Sequence, residues 1–279
     1  MRLGISSIAW DVSEDEQVSL RLARLGIDAI DIAPGKYFPD PAAATVDQVA
    51  KVRSWWHERG IEITGMQSLL FGTTGLNLFG PAAVRERMLG PLSAVCRIGG
   101  LLGATRLVFG SPRNRDRSGL DDEESLTIAV DFFGRLGERA ADHGVSVCLE
   151  PNPVAYGANF MTTSLEALDV VLATSHDRIR MQLDSGAIAL NGEDVASVIE
   201  RCGPWIGHIH ASEPGLVPLG DGGTDHAAVA GCLRRFLPDR LVMIEMVATR
   251  EEAHLDSVSR AIECARRHYL GPGRIGPTA

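Results

Sequence analysis

Two spacings of apolar residues alternate along this chain. Val84, Met88, Val95 and Leu102 recur at helical spacing, as do Leu126, Val130, Phe133 and Leu136. Short β-rich segments separate such runs, and one junction repeats: amphipathic run, glycine, strand, at RLGIDAIDI, ERGIEITGM, LLGATRLVF and DHGVSVCLE. Gly26, Gly60, Gly103 and Gly144 stand where a helix would end in a left-handed cap, which glycine adopts at least cost. Eight strands are predicted, near residues 3–7, 29–32, 62–67, 106–110, 146–150, 180–184, 207–211 and 242–246. Strands alternating with helices imply parallel pairing through right-handed crossovers. The length of 279 residues suits one eight-fold barrel. An open, doubly wound sheet is the alternative, but no GxGxxG follows the first strand to mark its switch point. The expected fold is α/β, a single (β/α)8 TIM barrel over residues 1–270, with a loose Gly- and Pro-rich tail at 271–279.

Four of these strands end in a residue that binds metals well: VSVCLE at Glu150, RMQLD at Asp184, GHIH at His210 and VMIE at Glu245. Side chains alternate faces along a strand. Glu150 therefore shares a face with Cys148 and Ser146, while Val147 and Leu149 turn towards the helices. The same count groups Gln182 with Asp184, His208 with His210 and Met243 with Glu245. All four candidates lie at the carboxyl ends of strands, where barrel enzymes place their active sites. Three carboxylates converging there repel one another unless a cation lies between them. A donor set of three oxygens and one imidazole points to one divalent cation, Mn²⁺ first, with Mg²⁺, Co²⁺ or Zn²⁺ as alternatives. A thiolate-rich structural zinc site is disfavoured, since no cysteine stands in the set.

Composition narrows the field. With 45 % hydrophobic and 23 % charged residues, the chain has the makings of a large buried core. A net charge of −9 argues against duplex nucleic acid as a partner. No stretch approaches the roughly 18 uninterrupted apolar residues of a membrane span, and the N-terminus lacks a signal-peptide pattern. Five cysteines without a CxxC pair predict reduced thiols and a cytoplasmic location. Lys36 and Lys51, the two lysines, fall outside the predicted strands, which disfavours a Schiff-base aldolase. Lys36 stays open as an anion contact at the mouth.

The succession LEPNP, QLDSG, HIHASEP, PLGDGGTDH and MIEM resembles the xylose-isomerase-like superfamily of sugar (phosphate) isomerases and epimerases. That group includes D-tagatose/D-psicose 3-epimerases, hydroxypyruvate isomerase, inosose dehydratase and, more distantly, endonuclease IV. The resemblance implies a metal-dependent isomerase or epimerase of a small sugar-like α-hydroxy carbonyl compound, working through an enediolate. Glu150 and Glu245 become both ligands and the catalytic acid/base pair, with Asp184 and His210 as ligands. The same site also suits a lyase or dehydratase of a keto-sugar. A non-catalytic carbohydrate-binding barrel is a third reading, against which the intact Glu150 and Glu245 speak. Two positions depart from the epimerase pattern: Ala187 replaces a histidine, and SEPGLVP lacks the arginine that follows the SE pair. Endonuclease IV needs further histidines, including the one at position 187, so DNA repair is disfavoured.

Further candidates ring the predicted mouth. Trp10 is expected to wall a sugar ring, Gln67 and Asn152 to meet substrate hydroxyls, and Glu213 to orient a ligand or hydroxyl. His208 shares the inward face below His210 and joins the substrate-site candidates. In GSPRNR, Arg113 and Arg115 offer bidentate binding of phosphate or carboxylate. The glycine-rich LGDGGTD at 219–225 offers backbone N–H groups to an anion. The expected partner is a small-molecule carbohydrate, with homo-oligomerisation left open.

Overall fold

β1 (Arg2–Ser6), β2 (Ala29–Ile32), β3 (Glu62–Met66), β4 (Arg106–Phe109), β5 (Ser146–Leu149), β6 (Ile179–Asp184), β7 (Ile206–Ser212) and β8 (Leu241–Glu245) follow one another around a closed parallel barrel. A computed structural model describes residues 1–270 of the chain; the tail expected to be loose, 271–279, lies outside them. β8 returns to β1, pairing Leu241–Ile244 with Arg2–Ile5, and this seam closes the ring. The architecture is the expected single (β/α)8 TIM barrel. Among the described residues, no helix is long and apolar enough to cross a membrane.

The local signals act as their chemistry predicts. Gly26, Gly60, Gly103 and Gly144 all take positive φ, between 67° and 83°. The helix Asp122–Asp142 opens on a reciprocal cap, in which Glu124 N–H donates to Asp121 Oδ1 (2.9 Å) and Asp121 N–H to Glu124 Oε2 (3.3 Å). Its buried face carries Phe132, Phe133 and Leu136, and the Phe133 ring meets Phe109 of β4 edge-on at 5.4 Å. Burying side chains of this size contributes about 1.5–3 kcal/mol each. The apolar core thus lies between strands and helices, while the barrel interior also holds buried polar groups: Asp31, Gln182, His208 and His210.

One irregularity sets the aim of β7. Along the β6–β7 ladder Met181 faces Ile206, but the next residue, Gln182, faces His208, so Gly207 is an extra residue. A Cβ there would stand 2.8 Å from Arg180 Cβ and 2.9 Å from Cys148 Sγ, a space that admits glycine alone without repacking. Beyond this bulge His208 and His210 rise one above the other, ring centroids 5.1 Å apart.

Candidate metal centre

Three strand ends and one strand interior supply the four predicted ligands. Glu150 immediately follows β5, its N–H still donating to Phe109 O across the ladder (3.1 Å). Asp184 ends β6 and caps the helix Ser185–Asn191, accepting from Ala187 N–H at 2.6 Å. His210 lies within β7, and Glu245 ends β8. One ligand atom from each of the four lies within 4.8 Å of the others. His210 Nδ1 is 3.0 Å from Glu245 Oε2, 3.4 Å from Glu150 Oε1 and 3.9 Å from Asp184 Oδ2. Space for Glu150 depends on Gly110, because a Cβ at that position would stand 1.8 Å from Glu150 Oε2.

Three carboxylates and an imidazole so close share protons unevenly. Burial pushes the Asp184 carboxyl up, and the charges of Glu245 and Glu150 carry it further, to about 8. Burial acts to lower His210, but Glu245 and Glu150 outweigh it and hold the imidazole well above its ordinary value. Burial would likewise raise Glu245; the His210 charge, with hydrogen bonds from His210 and Gln67, keeps it below the usual range. The cluster therefore holds excess negative charge out of water. Glu150 Oε1 is buried without a hydrogen-bond partner, and so is His210 Nε2. An orphaned carboxylate oxygen inside a converging O₃N set, with no thiolate, fits one divalent cation.

Each carboxylate keeps one side-chain donor that fixes its orientation. Asn152 Nδ2 donates to Glu150 Oε2 (3.3 Å), Ser212 Oγ to Asp184 Oδ2 (2.8 Å) and Gln67 Nε2 to Glu245 Oε1 (2.5 Å). Such outer partners aim ligands and raise metal affinity. Ser212 escaped the sequence reading. Its signal was its place two residues after His210 on the same strand face. Asp31 escaped too; it is a carboxylate inside the otherwise apolar AIDI, fully buried, with Oδ2 2.5 Å from His208 Nε2.

A cavity of about 890 Å³ opens over this cluster. Glu150 and Glu245 line it, together with Gln67, Asn152 and Arg113, and His210 is fully buried. Three expected substrate contacts are placed elsewhere. Trp10 is 0 % exposed; its indole N–H donates to Asp15 Oδ1 (2.7 Å) and its ring packs on Trp56, so it presents no wall to a sugar. His208 sits one layer down, paired with Asp31 across the barrel. Glu213 turns away from the cavity and accepts from Gly220 N–H (2.7 Å), Thr224 N–H (2.8 Å) and His226 Nε2 (3.0 Å). Burial would raise its carboxyl, but these donors, Thr224 foremost, hold it low.

The glycine-rich 219–225 segment is thus an anion receptor, as its composition suggests, with the protein's own Glu213 as the anion. Arg115 is fully buried beneath the floor, donating to Glu150 O (2.6 Å) and Gly110 O (3.2 Å), and is not a substrate contact. Lys36 donates to Ser7 O (2.8 Å) and Trp10 O (2.5 Å), so its ammonium is engaged by backbone carbonyls. All five cysteines are free thiols, and four of them are buried.

A family described as "xylose isomerase-like TIM barrel" matches residues 20–268 of the chain. Among solved structures, D-psicose 3-epimerase from Clostridium cellulolyticum H10, determined with D-tagatose, superposes with a TM-score of 0.79 at 19 % identity, over 96 % of this chain and 99 % of that one. The 3-keto-D-glucoside 4-epimerase of E. coli superposes with a TM-score of 0.76 at 17 % identity, over 95 % and 100 % of the two chains. An L-ribulose 3-epimerase gives 0.74 at 20 % identity, over 99 % of each. No curated protein sequence matches at a significant level. At these identities the structural likeness establishes the shared fold.

Proposed function

The chain belongs to the xylose isomerase-like TIM-barrel family, and from that footing we propose that it is a divalent-metal-dependent isomerase or epimerase of a small sugar or sugar-like α-hydroxy carbonyl compound. One observation carries the reading. Of the four clustered ligand candidates, Glu150 and Glu245 line the cavity, and His210 is fully buried. Two carboxylates from β5 and β8 then reach a bound molecule, and the other two residues serve as ligands alone.

A divalent ion, Mn²⁺ by preference, held by Glu150, Asp184, His210 and Glu245, would supply Lewis-acid polarisation of a substrate carbonyl and acidify the adjacent C–H. Glu245 is kept charged by His210 and by the Gln67 amide, so it is ready to accept a proton. Glu150, steadied through Oε2 by Asn152, is the second proton carrier. In an epimerisation one carboxylate removes the hydrogen from one face of the α-carbon. The other, protonated beforehand, delivers a proton to the opposite face, and the electron pair of the broken C–H bond returns from the enediolate to form the new one. In an isomerisation the proton returns to the neighbouring carbon. Leu69, Leu70 and Leu216 give the cavity wall an apolar part.

The reading is tested by incubating the Mn²⁺-loaded protein with a panel of ketoses and aldoses in D₂O. Deuterium appearing at an α-carbon, together with an epimer or isomer, supports it. Loss of water from the sugar assigns the site to a lyase. Sugar binding with no exchange under any of the four metals assigns it to a binding protein.

A further inference from the structure

Three arginines alternate in the loop after β4, and two are committed. Arg115 is buried under Glu150, its guanidinium pushed down to about 10 by that burial. Arg117 donates to Asn159 O (2.7 Å) and pairs with Asp122. Arg113 is exposed, lines the cavity, and makes no hydrogen bond or ion pair among the described residues. The charged side chains lining the cavity are Glu150, Glu245 and Arg113. Two other cationic features near the mouth are occupied, Lys36 by two carbonyls and the 219–225 amides by Glu213.

The backbone that presents Arg113 is anchored on both sides. Pro112 opens its single 3₁₀ turn, Asn114 Nδ2 donates to Leu76 O (2.8 Å), Leu78 N–H donates to Asn114 O (2.8 Å), and Arg115 is locked beneath. The backbone carrying Arg113 is thus braced, and a guanidinium offers carboxylates and phosphates a planar two-point grip. The cavity, about 890 Å³, is at the upper end of the usual small-molecule range, with room for a substituent beyond the reacting carbons. Thr73, Thr74 and Ser111 line it as well.

We propose that the substrate carries an anionic group, a carboxylate or a phosphate ester, remote from its reacting carbonyl, and that Arg113 binds that group. The inference rests on the cavity being the substrate site of the isomerase proposed above. An anion held by Arg113 would leave the uncharged carbonyl end of the molecule to meet Glu150 and Glu245, the other charged groups of the cavity.

Calorimetric titration of the Mn²⁺-loaded protein with D-fructose, D-fructuronate and D-fructose 6-phosphate tests it. At least one anion is expected to bind about 10-fold or more tightly than D-fructose, as a charge-assisted pair allows. Which anion gains distinguishes carboxylate from phosphate. Arg113→Gln is expected to lose about 10-fold of the preference, and Arg113→Lys to keep part of it because the charge stays while the planar fork is lost. The thermal midpoint of both variants, measured alongside, certifies the fold. Equal affinity for the three sugars, no measurable binding of either anion, or an undiminished preference in Arg113→Gln overturns the proposal. Deuterium exchange is read separately: an Arg113-dependent anion preference without exchange refutes the isomerase reading and upholds the anion site.

Discussion

The mouth of the barrel is built in two ways. On the β5–β8 side the chemistry sits on the strands or one residue beyond them, and backbone alternation aims each side chain. On the β3–β4 side the cavity wall is made by the 68–76 and 110–114 loops, whose course depends on side-chain props such as Asn114 and Arg115. A strand end has its direction set by the hydrogen-bonded ladder, so the ligand cluster is rigid and its membership narrow. A loop takes the path its props allow, and here two of them tie wall to floor, because Gly110 leaves the space for Glu150 and Arg115 donates to its carbonyl. The contrast separates a floor aimed by the strand ladder from a wall held by side-chain props.

The strongest way to break that division is Glu245→Gln. Loss of the carboxylate is expected to slow solvent exchange at the substrate α-carbon by about 10²–10⁴-fold. The thermal midpoint without metal is expected to fall modestly, since the Glu245 charge is held in the fold by His210 and the Gln67 amide. Exchange near the wild-type rate, followed by NMR in D₂O, would take catalysis away from the strand ends.

A smaller effect concerns protons and metal. Asp184, pushed up to about 8, and His210, held above its ordinary value, are both protonated in the metal-free protein at mildly acid pH. Metal ligands bind in their deprotonated forms, so an incoming ion must displace those protons. Affinity is therefore expected to rise as pH increases, by about 10-fold or more between about pH 6 and pH 8. The competing protonated forms become scarce as pH passes the raised Asp184 value. Calorimetric titration with Mn²⁺ across that range decides; a flat profile would mean that the floor is not the crowded, proton-sharing cluster described.

The gentlest test falls on the wall. Asn114→Ala leaves Leu76 O without its donor and is expected to lower the unfolding free energy by about 1 kcal/mol. Mn²⁺ affinity should stay unchanged, because Asn114 touches none of the four ligand candidates. A parallel fall in metal affinity would show floor and wall to be one cooperative unit.

The same division explains what was legible in the sequence. Alternation along VSVCLE, RMQLD, GHIH and VMIE brings Glu150, Asp184, His210 and Glu245 together, because parity depends on residue order alone. At β7 the count works because the bulge at Gly207 precedes both histidines; an extra residue between His208 and His210 would have turned one of them outward. Trp10 and Glu213 follow no such rule. A polar group in a loop goes to whichever donor or acceptor the folded path brings near. For Trp10 that is the Asp15 carboxylate, and for Glu213 the amides of its own downstream segment. Gln67 and Asn152 were visible as mouth residues, yet their hydrogen bonds to the ligand carboxylates became clear only once the strands had closed into a ring.

That closure also carries a timetable. The seam pairs the β1 ladder with residues 241–244, and Glu245 follows immediately. During translation Glu150, Asp184 and His210 leave the ribosome well before the last ligand, while β1 waits for a neighbour at its free edge. Circularisation of the sheet and arrival of the fourth ligand are a single event. A nascent chain stopped short of residue 241 has neither, so the four ligand candidates come together only once the polypeptide has been read through its eighth strand.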